Sequence, residues 1–163
     1  MSNPVVKDNV AAVLAAIQGL VSRQVLVGIP SAKAERQNDE PGEPINNAQL
    51  GYIHEFGSPQ ANIPARPFLL PGVEMVEDKV ADRLQKAAKA AIKGDSNKVE
   101  SELHAAGLAA QAGARFQLNS GEHEALAPST IAARRRRGRT GDKPLVDTGQ
   151  LRNSITYVVR DKE

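Results

Sequence analysis

The residues able to do chemistry are few and scattered. The three histidines, His54, His104 and His123, lie far apart in sequence, two in helical segments and one in a loop. His54 stands next to Glu55, a pair that invites a general-base reading. The plainer reading is the end of a helix carrying polar residues. Serines are present, but none sits in a nucleophile elbow. There is no Walker-type phosphate loop and no dinucleotide fingerprint. A hydrolase would need a second carboxylate at a fixed separation from Glu55, and the sequence does not single one out. With no cysteine, disulfides and thiolate metal sites are excluded. The expectation is a protein with no catalytic residues, no cofactor and no metal.

Charge gives a stronger signal than catalysis. The net charge is only +2, but it is unevenly spread. Ser31 to Pro44 holds Glu35, Asp39, Glu40 and Glu43 against Lys33 and Arg36. Pro128 to Lys143 holds Arg134, Arg135, Arg136, Arg137, Arg139 and Lys143 against Asp142. Such a run can neutralise phosphates, since arginine pairs with them in bidentate fashion. No aromatic residue lies beside it for base stacking, so it is not suited to reading sequence. Equally, it can pair with an acidic neighbouring subunit. An acidic loop and a basic loop on one chain suit charged partners, or copies meeting head to tail.

The elements that must position these groups read as follows. Asp8 to Leu20 predicts a helix with Val13, Leu14, Ile17 and Leu20 on one face. SRQVLVGIP, Ser22 to Pro30, predicts a strand, and its near-continuous apolar run predicts a central one. Ser31 to Pro44 reads as a loop. Asn46 or Asn47 caps the next helix, whose inward residues are Leu50, Ile53 and Phe56 and which Gly57 ends. Val73 to Lys93 predicts the longest helix, with Val73, Val76, Val80, Leu84, Ala87 and Ala91 as its stripe. Ser96 to Leu118 predicts the second arm of a helical hairpin, in which Gly107 and Gly113 are unfavourable residues. Ser129 to Arg136 is a short helix with a basic end. LVDTGQLRNS, Leu145 to Ser154, is a turn entering a helix capped by Asp147 or Thr148, with Leu151 inward. ITYVV, Ile155 to Val159, is a strand that pairs with the one near Val27.

Between the helix ended by Gly57 and the one that begins near Val73 lies a strap, residues 57–71, with Pro59, Pro64, Pro67 and Pro71. Proline fixes its own φ and pushes the preceding residue toward extended backbone. Ala65, Arg66 and Phe68 are therefore expected along an extended segment. Arg66 pairs with a local glutamate or reaches a neighbouring chain. Phe68, Leu69 and Leu70 serve as anchors in an interface, or the strap simply covers the sheet. The fold class is α+β: one domain over 1–163, a small mainly antiparallel sheet, a long helical hairpin and extended loops. No run approaches the roughly 20 apolar residues of a membrane span, and the expectation is a soluble chain with no membrane partner.

GYIHEFGSPQANIPARPFLLPG, Gly51 to Gly72, closely resembles a segment of bacteriophage neck and tail-completion proteins, in which an "EFG" helix end leads into an "IPxRPFL" strap. PLVDTGQLRNSITYVV, Pro144 to Val159, resembles their second signature, "L-x-DTG-x-L-x-x-S-I". VLVGIP, Val25 to Pro30, is similar to their opening strand. The group includes the minor tail protein and virion morphogenesis families of long-tailed, double-stranded-DNA phages. The resemblance implies a structural protein of the virion, made in the host cytoplasm and placed at the head–tail junction. It implies a ring of copies, six-fold or a twelve-fold match to the portal. Neighbouring neck, tail-terminator or connector proteins would be its partners, with non-specific contact to genomic DNA. On this reading Glu55, Phe56, Arg66, Phe68, Leu69 and Leu70 face a subunit or partner. Arg134, Arg135, Arg136, Arg137 and Arg139 face DNA or an acidic partner. The rival expectation is a free nucleic-acid-binding protein using that arginine-rich loop.

Overall fold

Two antiparallel strands, β1 (Arg23–Gly28) and β2 (Thr156–Asp161), bring the two ends of the chain together, with Val25 opposite Val159 and Val27 opposite Tyr157. The structure is a computed structural model that describes residues 10–37 and 45–162. Among them, helices α1 (Val10–Val21), α2 (Asn47–Phe56), α3 (Leu69–Glu74), α4 (Glu77–Ile92), α5 (Ser96–Ser120), α6 (Pro128–Arg136) and α7 (Gln150–Ser154) complete an α+β fold. The expected pairing of the two strands is present. The expectation of a central strand is corrected: among the described residues the sheet has two strands, and β1 packs against α5 and α1 while Leu26 stays exposed.

The helical hairpin of α4 and α5 is the scaffold. Asp95 caps α5 by accepting from the amide of Lys98 at 2.9 Å. The longest helix is α5, not the stretch from Val73 to Lys93. That stretch is broken at Met75 and Val76 into α3 and α4. The break lets the two pieces dock on different stretches of α5. Gly72 of α3 lies against Gly113 and Ala114, while α4 reaches back to Glu102 through Arg83. Glu77 and Asp78 then open α4 with the negative charge its N-terminus favours.

The two glycines that weaken the helical signal of α5 are packing residues. A Cβ on Gly107 would run into the ring of Tyr157, and one on Gly113 into the backbone of Gly72. Side-chain absence here permits close approach, which outweighs the helix-propensity cost of about 1 kcal/mol per glycine.

The main core cluster gathers Phe68, Ala114, Leu118, Leu145, Leu151 and Ile155, with Ile29 and Leu69 packed against it. Small residues dominate the rest of the interior, as the low aromatic content requires: Ala87, Ala90, Ala91, Ala106 and Ala110 are buried between helices. Leu84 is exposed despite its place in the predicted stripe, and Leu14 and Ile17 of α1 are exposed as well. The apolar face read for the first helix is therefore only partly covered. Asp8 and residues 38–44, which carry most of the predicted acidic loop, lie outside the described residues.

Candidate functional site

The strap is organised from α2. Asn46 caps that helix in a capping box with Gln49, each side chain bonding the other's backbone amide. Gly57 ends it at φ +75, a conformation that side chains disfavour. The chain does not run straight from there. Ser58 and Ile63 exchange two backbone hydrogen bonds around a tight turn at Pro59–Ala61, and Asn62 takes a left-handed conformation. Only the part after Ile63 follows the predicted non-helical path into α3, tied to α2 by a bond from the Arg66 amide to the His54 carbonyl.

Glu55 fixes where α3 begins. Its Oε2 accepts from the amides of Phe68 at 2.8 Å and Leu69 at 2.9 Å, and its Oε1 from Leu70 at 2.9 Å. A carboxylate is well suited to these groups, because the first amides of a helix lack intrahelical partners and carry partial positive charge. Glu55 thus acts within the chain as the cap that Phe68 cannot supply.

Arg66 and Phe68, expected as anchors for a neighbour, are internal. Phe68 is 2% exposed and fills the main core. Arg66 is 6% exposed; its Nε donates to the Glu124 carbonyl at 2.6 Å and its Nη2 to the Ala125 carbonyl at 2.8 Å. Neither a local glutamate side chain nor open solvent receives it. The physical reason is the same for both: the strap lies over α2 and the loop before α6, so its inward side chains complete the chain's own interior. Leu69 is half-buried against the core.

What remains outward is an apolar groove of about 500 Å³. Its floor is Ile29, Gly51, Phe68 and Ile155, and its rim is Tyr52, Phe56 and Leu70. The rings of Tyr52 and Phe56 touch at a tilt, with centroids 4.8 Å apart and planes inclined at 49°. Phe56 was expected to face inward but is 65% exposed, and Leu70 is 63% exposed. Of the six predicted interface residues, Phe56 and Leu70 are the ones displayed.

The arginine run divides in the same way. Arg134 is 7% exposed, and its Nη1 donates toward the carbonyls of Gly141, Lys143 and Val146 at 3.2, 2.9 and 3.0 Å. It clamps the 141–146 loop, in which Leu145 is held at φ +62, a strained conformation for a leucine. Arg139 pairs with Asp147 at 2.9 Å. The expectation that Arg134 reaches DNA or a partner is therefore corrected, while Arg139 is half-buried. Arg135, Arg136 and Arg137 stay exposed at the end of α6. Asp147 is used here and not as a helix cap; α7 is entered through Gly149 at φ +77.

The histidines do not converge on a metal site. Among the described residues no group of three or more His, Cys, Asp or Glu side chains is placed to hold an ion. Burial holds His54 well below its ordinary pKa, at about 4, helped by the charges of Arg66 and Arg36 and by His123. Its Nδ1 is buried without a hydrogen-bond partner. His104 contacts the Tyr157 hydroxyl at 3.2 Å and Glu100 at 3.1 Å. No helix among the described residues is long and apolar enough to cross a membrane.

Three structural residues carried no sequence signal. Arg115 donates through Nε and Nη2 to the Ile155 carbonyl, at 3.2 and 2.7 Å, and so braces the entry to β2. Glu102 is buried in α5 between Arg83 at 3.1 Å and Lys98 at 2.7 Å. Arg23 joins β1 to α5 through Glu100 at 2.9 Å. Only the Lys98–Glu102 pair, four residues apart on one helix, has a spacing visible in sequence.

The site is thus a helix-and-strap surface with an apolar groove. No family model matches the chain. It is similar to an uncharacterized protein of Methanocaldococcus jannaschii, 41% identical over 45 residues, which is 28% of this chain and 33% of that protein. The similarity thus spans about a third of that relative's length. No solved structure matches.

Proposed function

We propose that the chain is a structural subunit of a bacteriophage head–tail junction, a neck or tail-completion protein. It forms or decorates a ring of its own copies, six-fold or twelve-fold, and helps join tail to head. It is neither an enzyme nor a membrane protein on this reading, and neighbouring neck, tail-terminator or connector proteins are its partners.

One observation carries the reading beyond the bare sequence resemblance. The two segments that resemble those families, Gly51–Gly72 and Pro144–Val159, are far apart in the chain yet pack into one unit. Phe68 from the first meets Leu151 and Ile155 from the second in the main core. The same unit turns Tyr52, Phe56 and Leu70 outward around an apolar groove. An apolar surface of that kind is a common mark of an interaction site. In a closed ring, weak contacts at such a groove add up through closure and multivalency.

The test is sedimentation of a lysate from the source, with the chain followed by antibody. Co-sedimentation with tailed particles at a few copies each is expected. A Phe56→Ser, Leu70→Ser double variant should fold but leave the particle fraction. Tailed particles that lack the chain altogether would overturn the reading.

A further inference from the structure

A cationic hollow lies between α4 and α5, away from both the strap and the arginine run. It measures about 710 Å³ and is lined by Arg83, Lys86, Lys89, Ala90, Lys93, Asp95, Lys98 and Glu102. Five cationic side chains face two acidic ones, a net of +3. The two acids are already committed inside the protein. Asp95 caps α5, and Glu102 sits at the base of the hollow held by Arg83 and Lys98. Lys89 bonds only the neutral Gln85, at 3.2 Å. Lys93 meets no carboxylate among the described residues, and Lys86 pairs with Asp82 while remaining well exposed.

We infer that this hollow is a binding site for the phosphate backbone of duplex nucleic acid. Three features of its chemistry select that ligand. Its cations without a carboxylate partner, Lys89 and Lys93, and the exposed Lys86 are lysines, which act as mobile point charges suited to phosphates, whereas bidentate carboxylate recognition uses arginine, and Arg83 is engaged by Glu102. No aromatic side chain lines it, which removes the stacking platform that single strands require. Lys86, Lys89 and Lys93 follow the i, i+3, i+7 pattern of one helix face and span about 10 Å along α4. That length covers roughly three phosphates of one strand. The site positions the duplex without reading its bases. It stands on the hollow alone and does not depend on the virion reading.

The experiment uses the full chain and a mixed-sequence, fluorescein-labelled DNA duplex, with binding followed by anisotropy across a salt series. Three phosphate contacts predict that affinity falls roughly 40-fold between about 50 mM and about 200 mM NaCl. The K86Q/K89Q/K93Q variant should lose most of the affinity and nearly all of the salt dependence. The single variant K93E, on an exposed side chain, should lower the log–log salt slope by about 1. R135Q/R136Q should bind like the parent. The inference is overturned by a parent chain that ignores the duplex at about 50 mM salt, or by lysine variants that bind unchanged. Loss of binding in R135Q/R136Q with the lysine variants intact overturns it as well. Competition by poly-L-glutamate as effective as by unlabelled duplex would replace it with an acidic-protein site.

Discussion

The carboxylate of Glu55, in the last turn of α2, receives the amide of Phe68 at 2.8 Å just before α3 begins. One charged group thereby joins the end of one helix to the start of another and sets the depth at which the Phe68 ring enters the core. Leu69 and Leu70 donate to the same carboxylate.

Glu55→Ala should destabilise the protein by about 3 kcal/mol, since three amides lose a charged acceptor. Glu55→Gln should cost about half as much. Its single oxygen can still serve Phe68 and Leu69, but its NH2 group would face the Leu70 amide, donor against donor. Urea unfolding at neutral pH measures both. Equal costs for the two variants would mean that the oxygen glutamine retains contributes nothing; a Gln variant as stable as the parent would mean that the charge and the second oxygen contribute nothing.

The α3–α5 contact depends on having no side chain at Gly72. A Cβ there would stand 2.6 Å from the Ala114 Cα and 2.7 Å from the Gly113 carbonyl oxygen. Backbone atoms cannot yield cheaply, so Gly72→Ala should cost about 3 kcal/mol or prevent folding. Gly19→Ala is the matched control. Nothing lies within 4 Å of a Cβ at that position, and the helix propensity of alanine should stabilise α1 by about 0.5–1 kcal/mol.

Arginines of one run should behave in opposite ways. Arg134→Ala strips three loop carbonyls of their donor, which should cost about 3 kcal/mol. Arg135→Ala removes an exposed side chain and should lie within about 0.5 kcal/mol of the parent. Thermal melts of the two single variants suffice to compare them.

Acid should weaken the protein in two stages. His54 has its pKa lowered to about 4 from 6.5, so the unfolded chain binds its proton first. The stability this neutral histidine contributes is complete above pH 6.5, declines as pH falls, and is gone below about 4. The loss amounts to about 3 kcal/mol at most. Glu102 also has a lowered pKa, chiefly because Lys98 and then Arg83 bond its carboxylate. Its contribution is present above the ordinary value of 4.5 and is lost as pH falls through the depressed folded value. Urea midpoints taken from pH 8 down to 3 should therefore slope across the first window in the parent and flatten there in His54→Gln.

Much of the fold is legible in local pattern. The β-prone runs at Val25 and Tyr157, a helix cap at Asn46 or Asn47, the Gly57 stop and the second arm of the hairpin from Ser96 are set by short-range chemistry. Each of these reads correctly from neighbouring residues, because caps, turns and periodicity act within a few positions. The α+β class follows from their order. The candidate surface is legible in part: the strap and the arginine run mark where to look, and Phe56 and Leu70 are displayed.

Which side of the strap faces in was decided only by tertiary packing. Proline spacing constrains φ but does not say whether Arg66 meets solvent or the carbonyls of Glu124 and Ala125, 58 and 59 residues away. A run of arginines looks uniform in sequence, yet the 141–146 loop buries one member and leaves the next exposed. The lysine hollow arises because α4 and α5 lie side by side, and the Arg83–Glu102 pair that spends one of its acids crosses between the two helices. Sequence by itself set most of the elements and the cap of α2, through forces that act over a turn or two. The pairing of Glu55 with Phe68, of Gly72 with Gly113, and of the cations with their partners came from close packing between distant segments, where the identity of the neighbour decides whether a charge is anchored or displayed.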